Sequence, residues 1–167
     1  MKEDILNPEY WKRRLQESPP DCLHQSVFKC DKARWELIEA KHRLILAKHI
    51  LFADSVLDAG CGWGRLLDLM PSTWGGLYCG MDISPDFIEM ARRMHIDRPH
   101  AFVCQDMLCL DHVGSKRFDW GVLISIRPMI KRHLGSEHWD KIEVNLKRVC
   151  VKLLYLEYDE SDEGSIE

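Results

Sequence analysis

The sequence predicts an α/β fold: a three-layer sandwich in which a mostly parallel sheet of about five strands is covered by helices and preceded by a helical extension. Two observations predict it. From Ser55 onward, short apolar runs alternate with amphipathic segments, the signature of βα units. The first of these runs also ends in a glycine-rich turn that leads straight into a helix. The chain's 167 residues, 46% hydrophobic and 30% charged, suffice for one domain that buries its own core.

The elements follow in order. Asn7 caps a short helix, with Pro8 at its first position and Glu9 in its first turn, running to about Glu17 and stopped by Ser18-Pro19-Pro20. Asp31 caps a longer helix in which Leu37, Ala40, Leu44, Ala47 and Leu51 recur at three- and four-residue spacing as an amphipathic stripe. Strands are expected at 55–59, 78–82, 101–104, 120–125 and 152–157. Helices fill the gaps: one over 65–70, one opened by Ser84-Pro85-Asp86 and running to Met94, and one capped by Ser136 over 137–149. No repeat, low-complexity tract or linker interrupts this order. The chain therefore reads as a single unit over 1–167, with helices over 1–53 acting as a cap, a core over 54–158 and an acidic tail over 159–167.

Composition excludes several classes. The formal net charge is −4, but residues 157–167 carry six acids and no base, leaving 23 basic against 21 acidic residues elsewhere. So even a balance gives no strong nucleic-acid footprint. No apolar run is long enough to span a bilayer and no signal-like start is present, so a cytoplasmic protein without membrane association is expected. The 7 cysteines form no C-x-x-C pair and are expected as reduced, buried thiols, with no metal site. His24 reads as a loop histidine.

The chemistry is concentrated in Val56-Leu57-Asp58-Ala59-Gly60-Cys61-Gly62-Trp63-Gly64-Arg65-Leu66. An apolar strand runs into an acid, then three glycines at alternate positions, then a helix. Positions without side chains let a ligand lie against backbone, and the following amides favour an anionic group such as a carboxylate. The spacing Asp-x-Gly-x-Gly-x-Gly departs from the G-x-G-x-x-G of nicotinamide sites, and no phosphate-loop lysine is present. Asp82 closes the second strand about twenty residues on, where an acid accepts hydrogen bonds from ribose hydroxyls. Asp106 follows the third strand.

This arrangement resembles the first motif of class I, Rossmann-like S-adenosylmethionine (SAM)-dependent methyltransferases. The resemblance covers roughly 50–158 and implies a sheet of order 3-2-1-4-5. It also implies SAM as cofactor and S-adenosylhomocysteine (SAH) as product. By resemblance, Asp58 holds the methionine amino group through water, and Ala59, Gly60, Cys61, Gly62 and Gly64 form the turn beside the methionine portion. Asp82 takes the ribose, Ile83 packs on the adenine, Asp106 receives its exocyclic amine, the Met107 N–H meets a ring nitrogen, and Ser125 offers backbone to the amino group. Members of the family usually continue into a helix and an antiparallel hairpin. No strand pattern follows Tyr158, so this reads as a short form whose fifth strand lies at an edge, covered by the acidic tail, the N-terminal helices or a second subunit in a homodimer.

Ligands of open α/β sheets lie beyond the carboxyl ends of the strands. That places the acceptor near Ser125-Ile126-Arg127-Pro128 and Tyr158-Asp159. Arg127, His133 and Tyr158 are the candidates for anchoring it or moving a proton, and Tyr10 and Trp11 are candidates for an aromatic lid. The leading reading is methyl transfer to a small-molecule or nucleotide-like acceptor. The alternatives are a nucleic-acid methyltransferase, for which the Asp/Asn-Pro-Pro-Tyr/Phe segment and the Pro-Cys pair are missing, and a SAM-binding protein without catalysis.

Overall fold

Strand β1 (Val56–Ala59) is buried at all four positions, as expected of a central parallel strand covered on both faces. It pairs in parallel with β2 (Tyr78–Asp82) on one side and β4 (Phe118–Ile124) on the other. Beyond β2 lies β3 (Ala101–Cys104), and beyond β4 lies β5 (Cys150–Leu156), both parallel to their neighbours. The parallel order is thus 3-2-1-4-5, as the sequence predicts. The computed structural model describes residues 4–19, 22–97, 100–158 and 165–166.

A sixth strand, β6 (Ser165–Ile166), pairs antiparallel with Tyr155 and Leu154 of β5. This corrects the expectation that no strand follows Tyr158. Two residues are too short for an alternation pattern, so they carried no signal in the sequence. Residues 159–164, including Asp159, lie outside the described residues.

Helices cover both faces. On one face α2 (Lys32–His49), α3 (Arg65–Leu69) and α4 (Pro85–Met94) pack against the sheet through Leu46, Leu66, Ile88 and Ala91. On the other, α5 (Ile126–Leu134) and α6 (Ser136–Val149) bury Ile130, Trp139, Ile142 and Leu146. α1 (Pro8–Gln16) crosses the open end of the site, and Ile5, just before it, is 2% exposed. Expected caps form at three helices: Asn7 accepts from the Glu9 N–H, Asp31 from the Arg34 N–H, and Ser84 from the Phe87 N–H.

Four expectations are corrected. The stripe of Leu37, Ala40, Leu44, Ala47 and Leu51 is exposed, and α2 instead buries Trp35, Ile38, His42, Ile45 and Leu46. Apolar residues lie on both sides of this helix, so periodicity alone could not choose between them. Ser136 is the first residue of α6 rather than its cap; Gly135, at φ +92, occupies that position. His24 is no loop histidine: it sits in a 3-10 turn (Leu23–Ser26), is buried, and stacks on Trp35 at 4.9 Å. Of the seven thiols, all free, Cys61 and Cys150 are buried whereas Cys104 and Cys109 are exposed, because β3 is an edge strand and Cys109 lies on the loop after it.

Candidate functional site

At the carboxyl ends of the strands lies a cavity of about 810 Å³. Its floor is the glycine turn. Gly60, Gly62 and Gly64 all take positive φ, of 81°, 52° and 83°, a region L side chains rarely adopt. Their surroundings differ. A side chain on Gly60 would strike Ile126, and one on Gly64 would come within 2.7 Å of Phe102 and 2.9 Å of His95. One on Gly62 would meet nothing within 4 Å. Gly60 and Gly62 line the cavity and Gly64 does not. The third glycine therefore serves packing at the start of α3, and the second leaves open space that a ligand's backbone-hugging portion fits.

Asp82 stands at the end of β2 on the cavity wall. Its Oδ2 accepts the Gly62 N–H at 3.0 Å and its Oδ1 accepts the Ser84 N–H at 2.9 Å. Burial pushes its carboxyl up, and these backbone N–H groups oppose the shift. The carboxylate is thus locked to the glycine turn while keeping acceptor capacity toward the cavity, the geometry needed to grip a diol. Ile83, Asp106 and Met107 also line the cavity. Asp106 Oδ1 accepts the Leu108 N–H at 2.8 Å, which fixes the loop after β3.

Asp58 is placed differently from its expected neighbours. It is buried, lies off the cavity lining, and accepts the Tyr78 hydroxyl at 2.6 Å. Burial raises its carboxyl to about 7; the Tyr78 bond opposes that rise, Asp82 adds to it and Arg65 opposes it. Ala59 and Cys61 are likewise buried beneath the turn, off the cavity surface.

Ser125 takes φ +55 at the junction of β4 and α5, its Oγ accepting the Tyr158 N–H at 2.7 Å. That bond joins the ends of β4 and β5 at the cavity. Ser125-Ile126-Arg127-Pro128, expected near the acceptor, opens α5, with Pro128 in the first turn, where a missing N–H is harmless. Arg127 lies 4.2 Å over the Tyr155 ring and 4.0 Å from Glu157. His133 is half-buried on the same helix, and both line the cavity.

The remaining wall comes from the N-terminus. Tyr10, Trp11 and Arg14 of α1, with Val27 and Phe28, close the cavity opposite the glycine turn. The Trp11 indole donates to the Ile5 carbonyl at 2.8 Å, and its ring packs on Phe87. Arg14 donates to the carbonyls of Ser26 and Gln25, tying α1 to the turn below. Arg14, Val27 and Phe28 escaped the sequence reading because no local pattern marks them.

Beneath this wall sits a second constellation the sequence did not reveal. Arg65, 5% exposed, stacks on Trp35 at 4.2 Å, lies 5.5 Å from the Tyr158 ring centre, and contacts Glu39 at 3.2 Å and His42 Nδ1 at 3.1 Å. The other imidazole nitrogen of His42 meets the Glu157 carbonyl at 2.8 Å. Its one available signal was position: Arg65 follows the last glycine directly. Burial pushes the Tyr158 phenol up, with Arg65 opposing, so at neutral pH it stays protonated and is not a base.

Residues 56–151 match the family described as "Methyltransferase domain". No curated protein matches the chain in sequence. Among solved structures, the PH0226 protein from Pyrococcus horikoshii is similar, with TM-score 0.62 and 22% identity over 79% of this chain and 64% of that one. So is Haemonchus contortus phosphoethanolamine N-methyltransferase 1, solved with phosphoethanolamine and S-adenosylhomocysteine, with TM-score 0.67 and 16% identity over 93% and 33%. Magnesium protoporphyrin IX methyltransferase from Synechocystis, solved with SAH, has TM-score 0.58 and 19% identity over 88% and 64%. The chain spans between one third and just under two thirds of the length of these three. No helix among the described residues is long and apolar enough to cross a membrane.

Proposed function

This chain belongs to the methyltransferase-domain family, and on that premise we propose that it transfers a methyl group from SAM to a small-molecule acceptor bearing an anionic group. One observation carries the reading: a single cavity runs from the glycine turn and Asp82 to α1 and α5, so cofactor and a compact acceptor share one continuous space. The cofactor end offers Gly60 and Gly62 for the methionine portion, Asp82 for the ribose, and Asp106 with the Met107 N–H for the adenine. Bound there, SAM supplies an electrophilic methyl on a sulfonium.

The chain's own contribution is placement. The end of the cavity formed by α1 and α5 carries Arg14, Arg127, Lys131, Arg132 and His133 against one acid, Glu157, which lies beside Arg127. Such a wall attracts a carboxylate or phosphate and holds the acceptor in line with the sulfonium. Tyr10, Trp11 and Phe28 pack its apolar body and exclude water. His133 is the group suited to take a proton where the acceptor needs it, since Tyr158 is held protonated.

Labelled SAM incubated with pools of small organic acids and phosphates, tRNA and DNA tests the reading. Label in the acid and phosphate pool supports it. Label only in tRNA or DNA replaces the acceptor class, and no label in any pool, with SAH bound in calorimetry, leaves a SAM-binding protein without transfer.

A further inference from the structure

Helix α2 needs only one of its faces for the fold, yet its outward face is apolar as well. Ala33, Leu37, Ala40, Leu44 and Ala47 are all exposed. They repeat at alternating four- and three-residue spacing, which is the seam of a heptad pattern with leucine at one core position and alanine at the other. Leu37 is 54% and Leu44 73% exposed, and Leu51 and Phe52, each 68% exposed, extend the apolar surface just past the helix end. A contiguous exposed stripe of this kind marks an interaction surface. Over the 18 residues of α2 it is about 27 Å long, the span of a partner helix of five turns.

The borders of the stripe identify the partner's charge. Arg34, Lys41 and Lys48 each follow an alanine of the seam, and Glu36 and Arg43 each precede a leucine. The border of Arg34, Lys41 and Lys48 is wholly basic, and the other balances Arg43 against Glu36, which lies 3.8 Å from Lys32. Two copies of this face would set the basic rows of Arg34, Lys41 and Lys48 against each other when antiparallel, and when parallel would offset an attraction to Glu36 by a repulsion from Arg43. A partner with acidic borders therefore fits the basic row better than a second copy does. Alanine at alternate core positions admits close approach by a helix that brings large apolar residues of its own.

We infer that the outward face of α2 docks an amphipathic helix of another protein, whose leucine-rich seam is bordered by glutamate or aspartate. Recognition uses the apolar stripe for affinity and the basic border for choice of partner.

Two synthetic helical peptides of about three heptads test this, both with leucine at the core positions, one bordered by glutamate and the other by lysine, titrated by fluorescence anisotropy. The glutamate peptide binds the wild-type chain at least tenfold more tightly than the lysine peptide. Leu37→Glu/Leu44→Glu abolishes that binding while keeping the wild-type circular dichroism spectrum, and Lys41→Glu/Lys48→Glu shifts preference toward the lysine peptide. Binding of neither peptide, or equal binding of both, overturns the inference. So does wild-type self-association in sedimentation that Leu37→Glu/Leu44→Glu removes, because the occupant is then a second copy.

Discussion

The Tyr78 hydroxyl donates to Asp58 Oδ2 at 2.6 Å beneath the glycine turn, joining the two central strands by a side-chain bond that neither strand pattern reveals. Burial holds the Asp58 carboxyl at about 7, against 3.8 for an unperturbed group. For an acid whose folded pKa is raised, the unfolded chain releases its proton first. Stability from this group is therefore full below about pH 4 and declines as pH rises toward 7. The span corresponds to at most about 4 kcal/mol. Urea unfolding of Asp58→Asn is expected to lose this decline, with its gain over wild type largest above pH 7. A pH profile identical to wild type would refute the assignment.

Removing the donor probes the same pair from the other side. Tyr78→Phe leaves a buried carboxylate without its side-chain partner, at a cost of about 1–3 kcal/mol. Because the Tyr78 bond opposes the rise in the Asp58 pKa, the decline still begins near pH 4 but extends to higher pH. Denaturant midpoints measured across pH distinguish this shift from a uniform loss.

Asp82 couples the glycine turn to the cavity through its bonds to Gly62 and Ser84. Asp82→Ala removes both those bonds and the acceptor for the ribose. SAH affinity by calorimetry is expected to fall by about 2 kcal/mol or more, roughly thirtyfold. Unchanged affinity would place the cofactor elsewhere.

Gly60 and Gly62 are predicted to respond unequally. Gly60→Ala combines positive φ with a clash against Ile126 and costs about 2 kcal/mol. Gly62→Ala meets no atoms, so only the backbone preference opposes it, about 1 kcal/mol. Its added methyl nevertheless occupies the ligand's space. Gly60→Ala should thus show the larger drop in melting temperature, and Gly62→Ala the larger loss of SAH binding per unit of stability lost.

Arg65 is buried against Trp35, Glu39 and His42, with its Nη1 lacking a hydrogen-bond partner among the described residues. Arg65→Met keeps the stem and removes the charge, leaving Glu39 without its partner, and is expected to destabilise by about 3 kcal/mol. Arg65→Lys keeps the charge but loses the planar stack, for a smaller loss of about 1–2 kcal/mol. Urea titration ranks the two, and the reverse order would show that stacking rather than charge matters.

Local chemistry accounts for what was legible in advance. Alternation of apolar strands and amphipathic segments, the Asn7, Asp31 and Ser84 caps, and acids at the ends of β2 and β3 are each defined within a few residues. They determined the parallel sheet, the glycine turn and the strand ends that carry Asp82 and Asp106, while the strand order came from the family resemblance. Helix α5 was not among the expected elements, because Ser125 enters it from a left-handed conformation that composition does not signal.

Tertiary packing decided the rest. α2 carries two apolar stripes of equal periodicity, and only contact with α3 and the sheet selects Trp35, Ile38, His42 and Ile45 as the inner one. Asp58 lies in the motif where an acid reaching the ligand through water was expected, and β2 sets the Tyr78 hydroxyl against it within the core. The cavity wall of Tyr10, Trp11 and Phe28 joins residues about a hundred positions from Arg127 and Tyr158. A sequence by itself determines which groups are available and how each short segment bends. Which of them meet depends on burial, a property of the whole chain.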